Sequence, residues 1–165
     1  MDEQRNVPAG HTVVCGYGRV GQELVDMLRQ RGFRCLVIEQ SPQRVRALRS
    51  RGVAYLFGDA ANRVVLEHAA LRHARALAIT FPDDAGAEGV ARLARELNPL
   101  LDVIVRVHSA DYARRLWSVG AAEVVRPEFE AALEFARHVL HRYGLSGPEI
   151  QALLSERRSR LTARE

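Results

Sequence analysis

The run His11-Thr12-Val13-Val14-Cys15-Gly16-Tyr17-Gly18-Arg19-Val20-Gly21-Gln22 decides how the rest of the chain is read. Its apolar half, Val13 to Cys15, has the character of a buried strand. Gly16 to Gly21 spells G-x-G-x-x-G, and apolar residues at Leu24, Val25 and Leu28 then follow at helical spacing. This is the pattern in its required context, after a strand and opening a helix. Gly16 allows the tight turn, Gly18 lets a phosphate approach the backbone, and Gly21 lets helix and strand pack closely. The helix N-terminus adds unpaired N–H groups and the positive end of its dipole.

Outward from that turn the chain alternates strand and helix. Arg34 to Ile38 is a second short apolar run, closed by Glu39. Ser41-Pro42 reads as an N-cap followed by the first helical residue. Val53 to Phe57 is a third strand, and Asn62 caps the helix after Gly58-Asp59-Ala60. Ala76 to Thr80 is a fourth strand, ending in Phe81-Pro82-Asp83-Asp84; its helix stops at Asn98-Pro99. Asp102 to Val107 is the fifth strand, Ser109 caps a helix that Gly120 ends, and Ala122 to Val125 is the sixth. Short strands joined by helices imply an α/β domain: a Rossmann-like, doubly wound, mostly parallel six-stranded sheet, covered on both faces with right-handed crossovers. A C-terminal helix pair follows. Phe129, Ala132, Leu133, Ala136 and Leu140 make an apolar stripe on a helix from about Pro127 to Tyr143. Ser146-Gly147-Pro148-Glu149 is a capping box opening a second helix. The chain thus divides into a polar lead (1–10), a nucleotide-binding unit (11–126) and C-terminal helices (127–165) for dimerisation or partner docking.

Composition narrows the function. All 24 basic residues are arginine, which removes a P-loop lysine, a Schiff base and any lysine general base. The net charge is only +4 with acidic residues interspersed, and no nucleic-acid-reading motif accompanies the dense stretch Arg29, Arg31, Arg34, Arg44, Arg46, Arg49 and Arg51. No apolar run reaches the roughly 20 residues of a spanning helix, and the first ten residues carry no secretory h-region, so a cytosolic chain is expected. Cys15 and Cys35 fall on neighbouring strands, four residues apart in level, or about 13 Å. That is too far for a disulfide, so both are expected as buried thiols. No zinc site is expected, since two separated cysteines lack ligand spacing.

Glu39 lies about where this fold places the acid that accepts from both ribose hydroxyls. A carboxylate there repels a 2′-phosphate, which suits NAD, AMP, ADP or ATP and disfavours NADP. The loop at Thr80 to Asp84 lies at a carboxyl strand end, where open α/β sheets bind ligands. An NAD-dependent oxidoreductase is an alternative, but the residues after 126 are too few for a substrate domain. His108, at the end of the fifth strand, is the one histidine placed to reach the cleft, with packing or a surface hydrogen bond its bland role. A nucleotide-free scaffold keeping the glycine turn is the other alternative.

Gly16 to Gln22, Gly58-Asp59-Ala60, Ala94 to Pro99, Val105-Arg106-Val107 and Gly120 to Pro127, in this order, resemble the TrkA-N or RCK (regulator of potassium conductance) domain over about residues 10–143. Glu39, the run Gly58 to Asn62 and the helix residues Phe129 to Leu133 look most like the cytosolic domain of Kef-type cation/proton antiporters. The resemblance implies a non-catalytic regulatory domain at the inner face of the cell membrane. Such a domain binds NAD(H), AMP or a related nucleotide, forms homodimers, and passes a conformational change to a membrane cation transporter, either fused to it or separate. Carried over by position, Gly16, Tyr17, Gly18, Arg19, Val20 and Gly21 hold phosphates, and Glu39, with Gln40 beside it, the ribose. Asp59 and Ala60 border the adenine, and Thr80, Phe81 and Pro82 the far side of the cleft. Arg106 reaches toward either the phosphates or a dimer neighbour. The chain departs from the family in having Glu at 39 where Asp is frequent, and Ala61 where many carry Thr. Residues 85–90 also lack a common Asn, where the second half of a dinucleotide would lie, and this tilts the expected ligand toward AMP.

Overall fold

The computed structural model describes residues 9–164, with side chains to residue 160, so most of the expected polar lead lies outside the described residues. Six short apolar runs become β1 (Thr12–Cys15), β2 (Cys35–Glu39), β3 (Tyr55–Phe57), β4 (Ala76–Ile79), β5 (Asp102–Arg106) and β6 (Glu123–Val125). They form one sheet in the order β3-β2-β1-β4-β5-β6. All five pairings are parallel, where a mostly parallel sheet was expected. The connections are α1 (Arg19–Gln30), α2 (Pro42–Ser50), α3 (Arg63–His68), α4 (Asp84–Leu97) and α5 (Ala110–Val119). Strands three, four, five and six are each a residue or two shorter than their apolar runs. The helix after Asn62 also breaks at Ala70, whose φ is +53°, into a 3-10 turn over Leu71–His73.

Alternation along the central strands builds a core on each face. Val13, Cys15, Leu36 and Ile38 point into the larger one, with Leu66 of α3, Val90 of α4 and Leu116 of α5. Val14 and Val37 point the other way, onto Val25 of α1 and Leu48 of α2. Both faces are therefore covered, which is why these strands read as continuous apolar runs. Cap residues set the helix starts as the sequence predicts: Ser41 accepts from Arg44 N, Asn62 from Val64 N and Ser109 from Asp111 N.

Cys35 stands opposite Thr12 and Cys15 opposite Ile38, so the two cysteines are three residues apart in level, one fewer than expected. Both are free thiols. His11, just before β1, is buried with its Nε2 2.9 Å from Ala69 O.

The last two helices, α6 (Pro127–Arg142) and α7 (Gly147–Arg164), have an apolar cluster of their own. Leu133, Ile150 and Leu154 are its buried members, flanked by Phe129, Ala136, Leu140 and Leu145. The expected capping box is present: Ser146 N and Oγ both donate to Glu149 Oε2, at 2.8 and 2.6 Å. On the outer side of α6, Phe135, Val139 and Tyr143 recur every four residues and are exposed. No described helix is long and apolar enough to cross a membrane.

Candidate functional site

The strand order reverses at β1, whose neighbours β2 and β4 lead away to opposite edges. The loops leaving β1 and β4 diverge at that point and open a crevice at their carboxyl ends, where ligands enter this kind of sheet. Gly16 to Gly21 fills it.

The three glycines answer to different causes. Gly16 has φ +97°, a region that L side chains rarely adopt. Gly21 lies against the turn itself: a Cβ there would sit 2.1 Å from Gly16 O. Gly18 has ordinary extended backbone (φ −78°, ψ −164°), and the nearest atom to a Cβ built on it is Arg44 Nη2 at 4.0 Å. The fold demands glycine at 16 and 21 and leaves room for a side chain at 18. Gly18 is also the N-cap of α1 and supplies no capping side chain, so the opening N–H groups of that helix face the crevice uncapped.

Several residues expected as ligand contacts also hold the turn in shape. Glu39 is 4% exposed. Its Oε2 accepts from Tyr17 N at 2.7 Å, and its Oε1 from Gln40 N at 2.9 Å and Ser41 N at 2.8 Å. Three backbone donors satisfy a buried carboxylate that would otherwise be costly, and they tie the glycine turn to the end of β2. Thr80 Oγ1 lies 3.0 Å from Cys15 O and 3.1 Å from Gly16 O, bracing the turn from the end of β4. Tyr17 points away from the crevice into the α1–α2 core, where its hydroxyl accepts from Arg51, which also pairs with Asp26. At Tyr17 only backbone faces the crevice side.

Other expected residues stay at the surface. Arg19 and Val20 are exposed on the first turn of α1, as are Gln40, Asp59 and Pro82. Asp59 accepts from Ala61 N, Ala60 is buried in the larger core, and Phe81 is half-buried. Arg106 donates through Nη1 to Thr80 O at 3.2 Å, while its Nε is buried without a hydrogen-bond partner among the described residues. His108 is engaged rather than free: its Nδ1 lies 2.8 Å from Glu128 Oε1 at the start of α6. A backbone hydrogen bond at the start of α6, and after it this contact, hold the Glu128 carboxyl below its ordinary range.

Two features escaped the sequence reading. Asp84 accepts from His108 N and Ser109 N, pinning the start of α4 to the end of β5. Arg44 reaches over the turn from α2, with Nη1 3.6 Å from Glu39 Oε2. The available signal for both was charge at a helix start: an acid in the first turn of α4 and a cation, against the helix dipole, in the first turn of α2. A hollow of about 400 Å³ lined by Leu66, Leu71, His73 and Leu97, among others, lies at the opposite end of the sheet. There the long helices present their C-terminal, negative ends, which do not attract an anion. No cluster of potential metal ligands occurs among the described residues.

Sheet order, glycine turn and crevice together define a Rossmann-like doubly wound α/β domain. The family model of the TrkA-N domain matches residues 12–127, and the chain belongs to that family. The TrkA-N domain of the inner membrane protein YbaL from Escherichia coli superposes with a TM-score of 0.75 at 36% identity, covering 78% of this chain and 95% of that one. K(+) efflux antiporter 2, chloroplastic, of Arabidopsis thaliana is 32% identical over 151 residues, which are 92% of this chain but 13% of that protein. A Kef C-terminal domain from Shewanella denitrificans, solved in an AMP-bound form, has the same fold: TM-score 0.79, 22% identity, 94% of each chain. The chain spans a quarter or less of the curated relatives it matches.

Proposed function

We propose that this chain is the regulatory nucleotide-binding domain of a potassium or cation transport system of the Kef antiporter type. It binds AMP or NAD(H) at the glycine turn and gates ion transport by changing conformation. The observation that carries the reading is Gly18. Neither its backbone angles nor its packing requires glycine, so the remaining reason for the missing side chain is the approach of something outside the chain. Uncapped N–H groups and exposed Arg19 make that something an anion.

The relatives support the setting. Full-length members at 30–36% identity include potassium efflux antiporters. Among proteins of the same fold, the Kef domain was solved with AMP and the GsuK channel with NAD. AMP fits this chain better than a dinucleotide. At the start of α4, Asp83 crowds Gly86, and Glu88 is committed to Arg92 and Arg115. Residues 85–90 hold no asparagine or glutamine, so no side-chain amide there meets the second half of NAD. The domain works without catalysis, at the cytoplasmic face of the membrane, and pairs with a second copy through the 127–164 helices. Ligand shifts the transporter only by its differential affinity for two arrangements of that assembly.

The test is thermal stabilisation against AMP, ADP, ATP, NAD, NADH and NADPH. A ligand at a hundred times its dissociation constant adds about 2.7 kcal/mol. AMP or NAD(H) is expected to shift the melt and NADPH is not. Gly18→Val should melt where the wild-type protein does and respond to no nucleotide. No shift with any nucleotide would leave the turn as bare scaffold.

A further inference from the structure

Arg44 stands in the first turn of α2, behind the Ser41 cap, with no acidic residue in that turn. A cation at this end opposes the helix dipole. An ion pair with Glu39 is in place but long, and Glu39 does not depend on it. Glu39 already accepts from three backbone N–H groups, and Arg44 Nη1 stays 3.6 Å from it, outside hydrogen-bond range. The Arg44 side chain is 52% exposed, and among the described residues no hydrogen bond holds its guanidinium. Its other tip, Nη2, is the nearest atom to the open position over Gly18.

The nucleotide reading places a phosphate at that opening. Arg44 of α2 thus reaches it, beside the positive N-terminus of α1, whose first residue is the exposed Arg19. A set of several positive groups around one small opening is best balanced by a doubly charged phosphate. A guanidinium fork meets such a group with two parallel hydrogen bonds. We infer that Arg44 is a phosphate-binding arm of this site, selective for a nucleotide carrying a dianionic phosphate monoester, such as a nucleoside 5′-monophosphate. The arm also ties α2 to the bound ligand.

The inference rests on the nucleotide reading, and calorimetric titration of AMP and of adenosine separates the two. Arg44→Gln should leave the free protein folded. AMP binding should weaken by about tenfold or more, while adenosine binding is unaltered. Arg44→Lys should recover part of the loss, since the charge returns without the fork. Equal AMP affinity in wild type and Arg44→Gln would overturn the assignment and leave the nucleotide site standing. An equal fall for AMP and adenosine would move Arg44 to the ribose or base and also overturn it. Failure of the wild-type protein to bind AMP would remove this assignment, and failure to bind NAD or NADH as well would remove the nucleotide reading.

Discussion

The glycine turn and the C-terminal helix pair are held together by opposite means. Around the turn, buried polar groups from two strand ends converge on backbone atoms at a third: Glu39 on Tyr17 N, and Thr80 on Cys15 O and Gly16 O. The helix pair rests on a small apolar cluster of its own and on exposed ion pairs such as Arg158 with Glu130. Buried, short-range hydrogen bonds fix geometry, and a preformed donor set binds an anion without first paying to order itself. Exposed ion pairs and a few leucines fix little, and such a segment opens or shifts at low cost. One region is built to receive and the other is free to respond.

The largest effect expected from breaking this contrast is at Gly21. Gly21→Ala drives a methyl into Gly16 O, and the turn cannot shift without losing its braces. The loss should exceed about 3 kcal/mol, read by chemical denaturation. A near-normal stability would show that the turn is far softer than its hydrogen bonds imply. Gly18→Val, three residues away, is its complement, with binding lost and stability kept.

Leu133→Ala probes the other region. It removes one of three buried members of the helix-pair cluster, at about 2 kcal/mol, the low end for a buried leucine. The effect should stay local: hydrogen exchange should rise across 127–164, while β1, β2 and β4 remain protected. Equal loss of protection in the sheet would mean the two regions open as one unit.

A smaller effect comes from Cys15, directly beneath the turn. Burial, with a lesser push from the charge of Asp59, raises its thiol to about 12. The unfolded chain gives up that proton near pH 9. The stability tied to this thiol is therefore complete below pH 9 and is lost as pH rises from 9 toward 12. Urea denaturation at pH 8 and pH 10.5 should show the decline, and Cys15→Ala should show a shallower one. At pH 8, iodoacetamide should modify Cys35 slowly and Cys15 only on unfolding. Rapid labelling of native Cys15 would contradict the tight base of the turn.

Much of the fold was legible because its signals are local. The strand–turn–helix at 12–30, the caps at Ser41, Asn62 and Ser109, and the Ser146–Glu149 box each depend on residues a few positions apart. Apolar runs gave all six strands, overrunning the last four because an apolar run continues past the ladder bonds. The break at Ala70 was missed because nothing in an alanine pair announces a left-handed residue.

Residue types at the site were legible too, but not their tasks. By itself the sequence determined that Gly16, Gly18 and Gly21 form a turn between strand and helix, and that an acid closes β2. Only the tertiary structure decided that Glu39 spends its carboxylate on the turn's backbone and that Tyr17 leaves the crevice for the core. Only there does Arg44 come within reach of Gly18. The reason is physical. Turn and cap chemistry is settled within a few residues of chain, whereas a side chain's partner is set by which strands lie side by side. Closing β2 against β1 is what turns a separation of 22 residues into a 2.7 Å hydrogen bond.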